Sequence, residues 1–177
     1  FDEAVLLALR TPGDPTNPIG GPQVEVAMRD LTALGGVTIL TLMTAAVLAY
    51  LILRGARASA LFVLCAVLGG QLLSHFAKFA FSRPRPDLVP HLSIVYTTSF
   101  PSGHSLNAAV VYLTLGGLLA RLQPRRLLKI YVLVLAASIT FAVGVNRVYL
   151  GVHWPTDVLA GWTAGAVWAL LCWLVMR

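Results

Sequence analysis

The chain has 177 residues, of which 58% are hydrophobic and 11% charged, where a soluble domain carries roughly 25% charged residues. So few charges cannot cover a water-soluble globule, which makes the bilayer the natural solvent. The formal net charge of +6 sits mainly between apolar stretches, a topology signal rather than a nucleic-acid surface, so no nucleic-acid partner is expected.

Residues 1–30 read as an outward-facing N-terminal segment. In it, Ala4–Leu9 is short and apolar enough for an interfacial helix, and Thr11–Pro22, rich in Pro, Gly and Asn, reads as a loop. Residues 31–177 read as a helical membrane domain with five apolar stretches, each near the ~20 residues that span a ~30 Å hydrocarbon core. The first runs from Leu31 to Leu53, the second from Ala58 to about Phe81 and the third from Gly103 to about Ala120. The fourth runs from about Leu127 to Val145 and the fifth from Val158 to Met176. The runs are continuous rather than alternating, so helices are expected, giving an all-α polytopic bundle. Gly161 and Gly165 form a small-xxx-small pair suited to close packing within or between chains. Trp162, Trp168 and Trp173 suit packing or an interfacial belt. Cys65 and Cys172 lie in apolar runs without metal-ligand spacing, and no metal site is expected.

The connections alternate in charge. Arg54 and Arg57 occupy one, Arg121, Arg125, Arg126 and Lys129 another, and Arg177 ends the chain, with no acid among them. The opposite set holds every acid: Asp2, Glu3, Asp14, Glu25, Asp30, Asp87 and Asp157. Basic loops stay cytoplasmic, so the acidic set is expected outside. The chain begins at Phe1 rather than Met, and an outward start calls for a preceding span, so six helices are expected in the full protein.

Three polar clusters fall on that outward side. Lys78 and the run Arg83-Pro-Arg-Pro86 close the second stretch, where the prolines end a helix. Lys78 alone would be a snorkelling lysine and Arg83 and Arg85 surface arginines, yet a cation pair converging on one pocket suits a phosphate dianion; Arg83 beside Arg85 could help attract anions. Ser99-Phe-Pro-Ser-Gly-His104 opens the third stretch, with Ser102 as N-cap. A helix N-terminus with Gly103 offers free N–H groups to an anion, and His104 beside it could protonate a leaving alkoxide. Arg147, His153 and Asp157 lie between the fourth and fifth stretches or at the start of the fifth. Pro155 suits the first helical position, making Trp154 the cap and Asp157 the third residue, from which its carboxylate can hold the His153 ring by one nitrogen. His75 and His91 have simpler explanations: His75 as a structural residue facing the bundle, His91 as a solvated loop residue.

These clusters resemble the signature of the type 2 phosphatidic acid phosphatase superfamily, the lipid phosphate phosphatases, in its membrane branch. The first part of that signature matches Lys78, six residues and Arg85-Pro86, and the second matches Pro101 to His104. The third matches Arg147, five residues, His153, three residues and Asp157. The departure is Asn146 where serine is usual. The resemblance implies an acid phosphatase/vanadium haloperoxidase-like helical fold and hydrolysis of a lipid phosphate without metal or other cofactor. By resemblance, His153 attacks phosphorus, Asp157 orients it, and His104 protonates the departing oxygen. Lys78, Arg85, Ser102, Gly103 and Arg147 hold the phosphoryl oxygens. Implied substrates are phospholipid or polyprenyl phosphates and pyrophosphates. Separately, the charge alternation and the small size lead to the expectation of a bacterial inner membrane with a periplasmic or extracellular site. The competing readings are a catalytically silent lipid-binding or transport protein on the same fold and, disfavoured by the spans, a vanadium-dependent haloperoxidase.

Overall fold

The computed structural model describes residues 1–176; Arg177, counted above in the basic set, lies outside the described residues. Seven helices appear among them. They are α1 (Asp2–Ala8), α2 (Gly21–Leu31), α3 (Val37–Leu53), α4 (Arg57–Ala80), α5 (Gly103–Leu122), α6 (Arg126–Tyr149) and α7 (Pro155–Val175). The expected bundle is therefore present. Helices α4 to α7 are each long and apolar enough to cross a membrane.

The first expected span needs correction. Leu31 to Leu53 is not one straight helix: α2 passes into a 3-10 turn over Thr32–Gly35, the chain extends at Gly36, and α3 follows, bent by 47° from the preceding segment. The cause lies in packing. A Cβ on Gly35 would sit 3.2 Å from the His104 Cβ, so only glycine lets this turn press against the start of α5. Taken as one bent unit, the pair supplies the fifth span.

The expected loop over Thr11–Pro22 also proves more ordered. Arg10–Thr11 (β1) and Asp14–Pro18 (β2) pair antiparallel around Gly13, whose φ of 84° suits a tight turn. The Asp14 carboxylate accepts from the Thr16 N–H at 2.9 Å and from Asn17, an Asx-type closure.

Helix α5 is the buried centre of the bundle, while α4, α6 and α7 turn Leu, Phe and Val side chains outward. Gly161 and Gly165 settle where their faces pack: a Cβ on Gly161 would lie 2.7 Å from the Ser102 carbonyl oxygen, and one on Gly165 would meet Leu106 and Ala109 of α5. The small-xxx-small pair thus seats α7 on α5 within this chain. The tryptophans are structural cross-links rather than a belt. Trp162 Nε1 donates to the Thr140 carbonyl at 3.0 Å, Trp168 Nε1 to the Ala66 carbonyl at 2.8 Å, and Trp173 meets Phe62 edge to face.

The two ends of the bundle differ. Leu51, Ala60, Leu118 and Trp173 pack together where α3 and α4 meet and α5 and α7 end, and Arg54, Arg57, Arg121, Arg125, Arg126 and Lys129 flank this end. At the other end, α1 and the α4–α5 connection cover the α6–α7 turn: Leu6, Val89, Val148 and Val158 form one cluster, and Leu150 and Val152 a second with Leu9 and Leu92.

Candidate active site

The polar residues that the sequence singles out converge at this second end. Each arrives there for a local reason. Pro84 and Pro86 cannot extend α4, so the chain leaves the helix after Ala80 with Lys78 in its last turn. Ser102 caps α5, its hydroxyl accepting from the Ser105 N–H at 3.5 Å and from the Ser105 hydroxyl at 2.9 Å. Pro155 opens α7, and the Asp157 carboxylate returns to the Trp154 N–H at 3.0 Å, as the spacing predicts. One backbone bond staples the two helix starts together: the Ser102 N–H donates to the Asp157 carbonyl at 3.0 Å.

Arg147 requires a positional correction. It belongs to the last turn of α6, which runs on to Tyr149 instead of ending near Val145. The residue is 2% exposed, and its guanidinium donates to the Thr32 hydroxyl at 2.6 Å, while Nε has no partner among the described residues. The Gly35–Gly36 break therefore has a use: it delivers Thr32 to Arg147 and the turn's backbone to His104. That glycine pair inside an apolar run was the signal available for the break. Asn146, buried beside Arg147, donates to the Met28 carbonyl and so ties α6 to α2.

Lys78 and Arg85 are held by the same stretch of main chain. Lys78 Nζ donates to the Thr98 carbonyl at 2.9 Å, and Arg85 Nε to the Thr97 carbonyl at 2.8 Å. Arg85 Nη1 donates to the Val152 carbonyl at 2.6 Å and lies 3.2 Å from His153 Nε2. The Lys78 methylene chain borders Gly103, where a Cβ would come within 3.3 Å of it. Lys78, Arg85, Arg147 and His153 are all close enough for their charges to act on the His104 ring. Neither Lys78, Arg85 nor Arg147 has an ion-pair partner among the described residues.

His153 is 2% exposed. Burial, aided by Arg85 and Arg147 and opposed by Asp157, pushes it down to about 4, so the ring is neutral near pH 7. An arginine can only donate, so its contact with Nε2 requires that nitrogen to be the acceptor and leaves the proton on Nδ1. Nδ1 faces the Asp157 Oδ2 at 3.6 Å, longer than a direct hydrogen bond. The Ser99 hydroxyl stands between them, donating to the same Oδ2 at 2.5 Å and 3.4 Å from Nδ1.

Two residues of this network carry no role in the sequence reading. Ser99, fully buried, was visible only as a small polar residue before Pro101. Asp2 comes from the far N-terminus: its carboxylate accepts from the Thr156 N–H at 2.9 Å and the Thr156 hydroxyl at 2.6 Å, capping the start of α7. Arg83, expected to help attract anions, is engaged within the protein: it bridges Asp157 at 2.8 Å and Asp2 at 2.7 Å and lies over the Trp154 ring. Burial works against its charge, but hydrogen bonding to Asp2 and the field of Asp157 outweigh it and raise its pKa. Its neighbour Arg85 turns instead to His153 and the Thr97, Thr98 and Val152 carbonyls. The other histidines stand apart. His75 is exposed on α4, not turned into the bundle, and His91 pairs with the Pro86 carbonyl at 2.7 Å.

Fold and site together define a helical membrane protein with a cationic, histidine-bearing cup at one rim. The chain belongs to the PAP2 superfamily, whose sequence model matches residues 59–177. It is similar to phosphatidylglycerophosphatase B of Bacillus subtilis (strain 168), 44% identical over 96 residues, covering 54% of this chain and 47% of that protein. It is also similar to an undecaprenyl-diphosphatase of Sulfolobus acidocaldarius, 36% identical over 108 residues, covering 59% and 47% of the two chains. The chain thus spans about half the length of the curated relatives it matches. In three dimensions it is similar to the crystal structure of a transmembrane PAP2-type phosphatidylglycerolphosphate phosphatase from Bacillus subtilis. That match has a TM-score of 0.88 at 32% identity and covers 98% of this chain and 83% of that one.

Proposed function

We propose that this protein is an integral membrane phosphatase that removes the phosphoryl group of a lipid phosphate or pyrophosphate through a phosphohistidine. The observation that carries the reading is the buried Arg147, with no ion-pair partner among the described residues, beside Lys78 and Arg85. Burying an unpaired charge is costly, and Arg147 together with the half-buried Lys78 and Arg85 calls for an anion of more than one charge. A phosphoryl group supplies that anion, and its oxygens match the forked donors of arginine.

In this reading Lys78, Arg85 and Arg147, with the Ser102 hydroxyl and the Gly103 N–H, hold the phosphoryl oxygens and stabilise the charge that develops on them. Neutral His153 attacks phosphorus through Nε2 while Nδ1–H stays directed at Asp157 and Ser99. The P–O bond to the lipid breaks, and His104 gives the leaving oxygen a proton. His104 then takes a proton from water, whose oxygen attacks the phosphohistidine and releases inorganic phosphate. No step calls for a metal, because side-chain cations do the electrostatic work.

The named relatives act on phosphatidylglycerophosphate and undecaprenyl diphosphate, which favours an amphiphile with a terminal phosphoryl group as substrate. The charge alternation supports a site on the non-cytoplasmic face of a bacterial inner membrane. A phosphate-release panel over phosphatidic acid, phosphatidylglycerophosphate and polyprenyl diphosphate, in detergent with EDTA, tests the activity. Release from at least one, with an alkali-stable, acid-labile label on His153, is expected. No release from any of them would overturn the reading.

A further inference from the structure

At the bundle end far from the cup, α5, α6 and α7 part to leave a trough. Its wider portion, about 450 Å³, lies between Leu113 and Gly117 of α5, Leu133 of α6 and Ala166 and Trp173 of α7, with Arg121 and Lys129 at its mouth. A second cavity of about 180 Å³ shares Leu113 and Ala166 with it and ends at Thr140, Phe141 and Trp162. The two cavities thus adjoin at Leu113 and Ala166 along the same groove between α5, α6 and α7. Its inner end is shut by Trp162, which stacks on Phe141 at 5.2 Å between ring centroids and donates to the Thr140 carbonyl at 3.0 Å.

Its length has a physical meaning. Lys129 and Thr140 both lie in α6, separated by about 16 Å of helix rise, half of a ~30 Å hydrocarbon core. The trough is as deep as one leaflet. Its walls are apolar, so no polar solute would stay in it, and an acyl chain matches both its chemistry and its depth. The mouth adds charge. Neither Arg121 nor Lys129 forms an ion pair among the described residues, and the acids of the chain all belong to other segments. Orientation signals need positive residues only somewhere in a connecting segment; they do not need them to line the rim of a leaflet-deep trough.

We propose that this trough is a binding site for an anionic phospholipid of the leaflet opposite the catalytic cup, with one acyl chain along Leu113 and Ala166 and its phosphate between Arg121 and Lys129. Basic pockets between membrane helices recognise anionic headgroups through this combination of charge and apolar depth. The site is separate from the cup, since Arg121 stands about 25 Å along α5 from His104. Its occupant would brace α6 against α7 on the far side of the Trp162–Phe141 contact.

Native mass spectrometry of the purified chain, offered phosphatidylglycerol or phosphatidylcholine with identical acyl chains, tests this. Wild type is expected to retain phosphatidylglycerol at least tenfold better. R121Q with K129Q should bring the two lipids close to parity, and Ala166→Phe, which fills the shared reach, should lower retention of both. Equal retention by wild type, or a preference that survives in the double variant, would overturn the proposal. Should the double variant fail to fold, each single substitution carries the same test, with a loss of roughly fivefold per cation.

Discussion

Replacing Ser99 by alanine probes how the Asp157–His153 pair is held. The Ser99 hydroxyl donates to Asp157 Oδ2 at 2.5 Å and stands 3.4 Å from His153 Nδ1, which is itself 3.6 Å from that oxygen. A hydrogen bond to a charged group contributes about 1.5–3 kcal/mol. Asp157 would keep Arg83 and the Trp154 N–H, so the carboxylate stays anchored but loses the donor that keeps Oδ2 beside the ring. If about 2 kcal/mol of that positioning is felt only in the transition state, kcat falls roughly 30-fold. KM should stay within about twofold, because Ser99 faces the carboxylate rather than the cationic cup. Initial rates of phosphate release from a lipid monophosphate in mixed micelles, with a melting curve to confirm folding, make the measurement. An unchanged kcat, or a rise in KM alone, would show that Ser99 is a packing residue and that the carboxylate needs no help.

His153→Ala is expected to abolish turnover while the circular dichroism of the helices is kept; detectable phosphate release from that variant would refute its role as nucleophile. Vanadate should inhibit competitively at up to about millimolar concentration, since it can expand to the trigonal-bipyramidal geometry of the transition state that the cations are arranged to receive. The His153 imidazole should remain neutral well below the ordinary 6.5, with a midpoint of about 4 in nitrogen-15 spectra. Its folded pKa lies below its unfolded one, so the unfolded chain binds the proton first, and about 3 kcal/mol of stability present above pH 6.5 is lost as pH falls toward 4. A melting temperature flat across that window would contradict the burial argument. Gly161→Ala would place a methyl 2.7 Å from the Ser102 carbonyl oxygen, and a cost of about 1–3 kcal/mol in stability, read as a lower melting temperature, is expected.

The spans α4 to α7 were legible because long apolar runs have one stable form in lipid, and the start of α7 because Pro155 and Asp157 occupy positions with strong local preferences. The convergence of Lys78, Arg85, Ser102, His104, Arg147, His153 and Asp157 at one end followed from counting helix crossings. What could not be read was whatever depends on tertiary partners. Arg83 and Arg85 sit two residues apart in one proline-bracketed run and look equivalent, yet one is spent on Asp2 and Asp157 and the other is not. The choice is made by Asp2, some eighty positions away, and nothing local announces it. Ser99 was hidden for the same reason: one hydroxyl gains meaning only once the α4–α5 connection lies over the α6–α7 turn. The break between α2 and α3 was different in kind, since Gly35-Gly36 was in view but hydropathy alone outvoted it.

The main-chain bond from Ser102 to the Asp157 carbonyl, set where glycine lets α7 lie against α5, has a bearing on how such a protein diversifies. It makes the spacing between the anion-receiving turn and the histidine-bearing turn a property of the peptide backbone, indifferent to which side chains face the lipid. Drift on the outer surfaces of α3, α4 and α6 could therefore refit the chain to a new tail or headgroup while the distance over which phosphorus is handled stays constant.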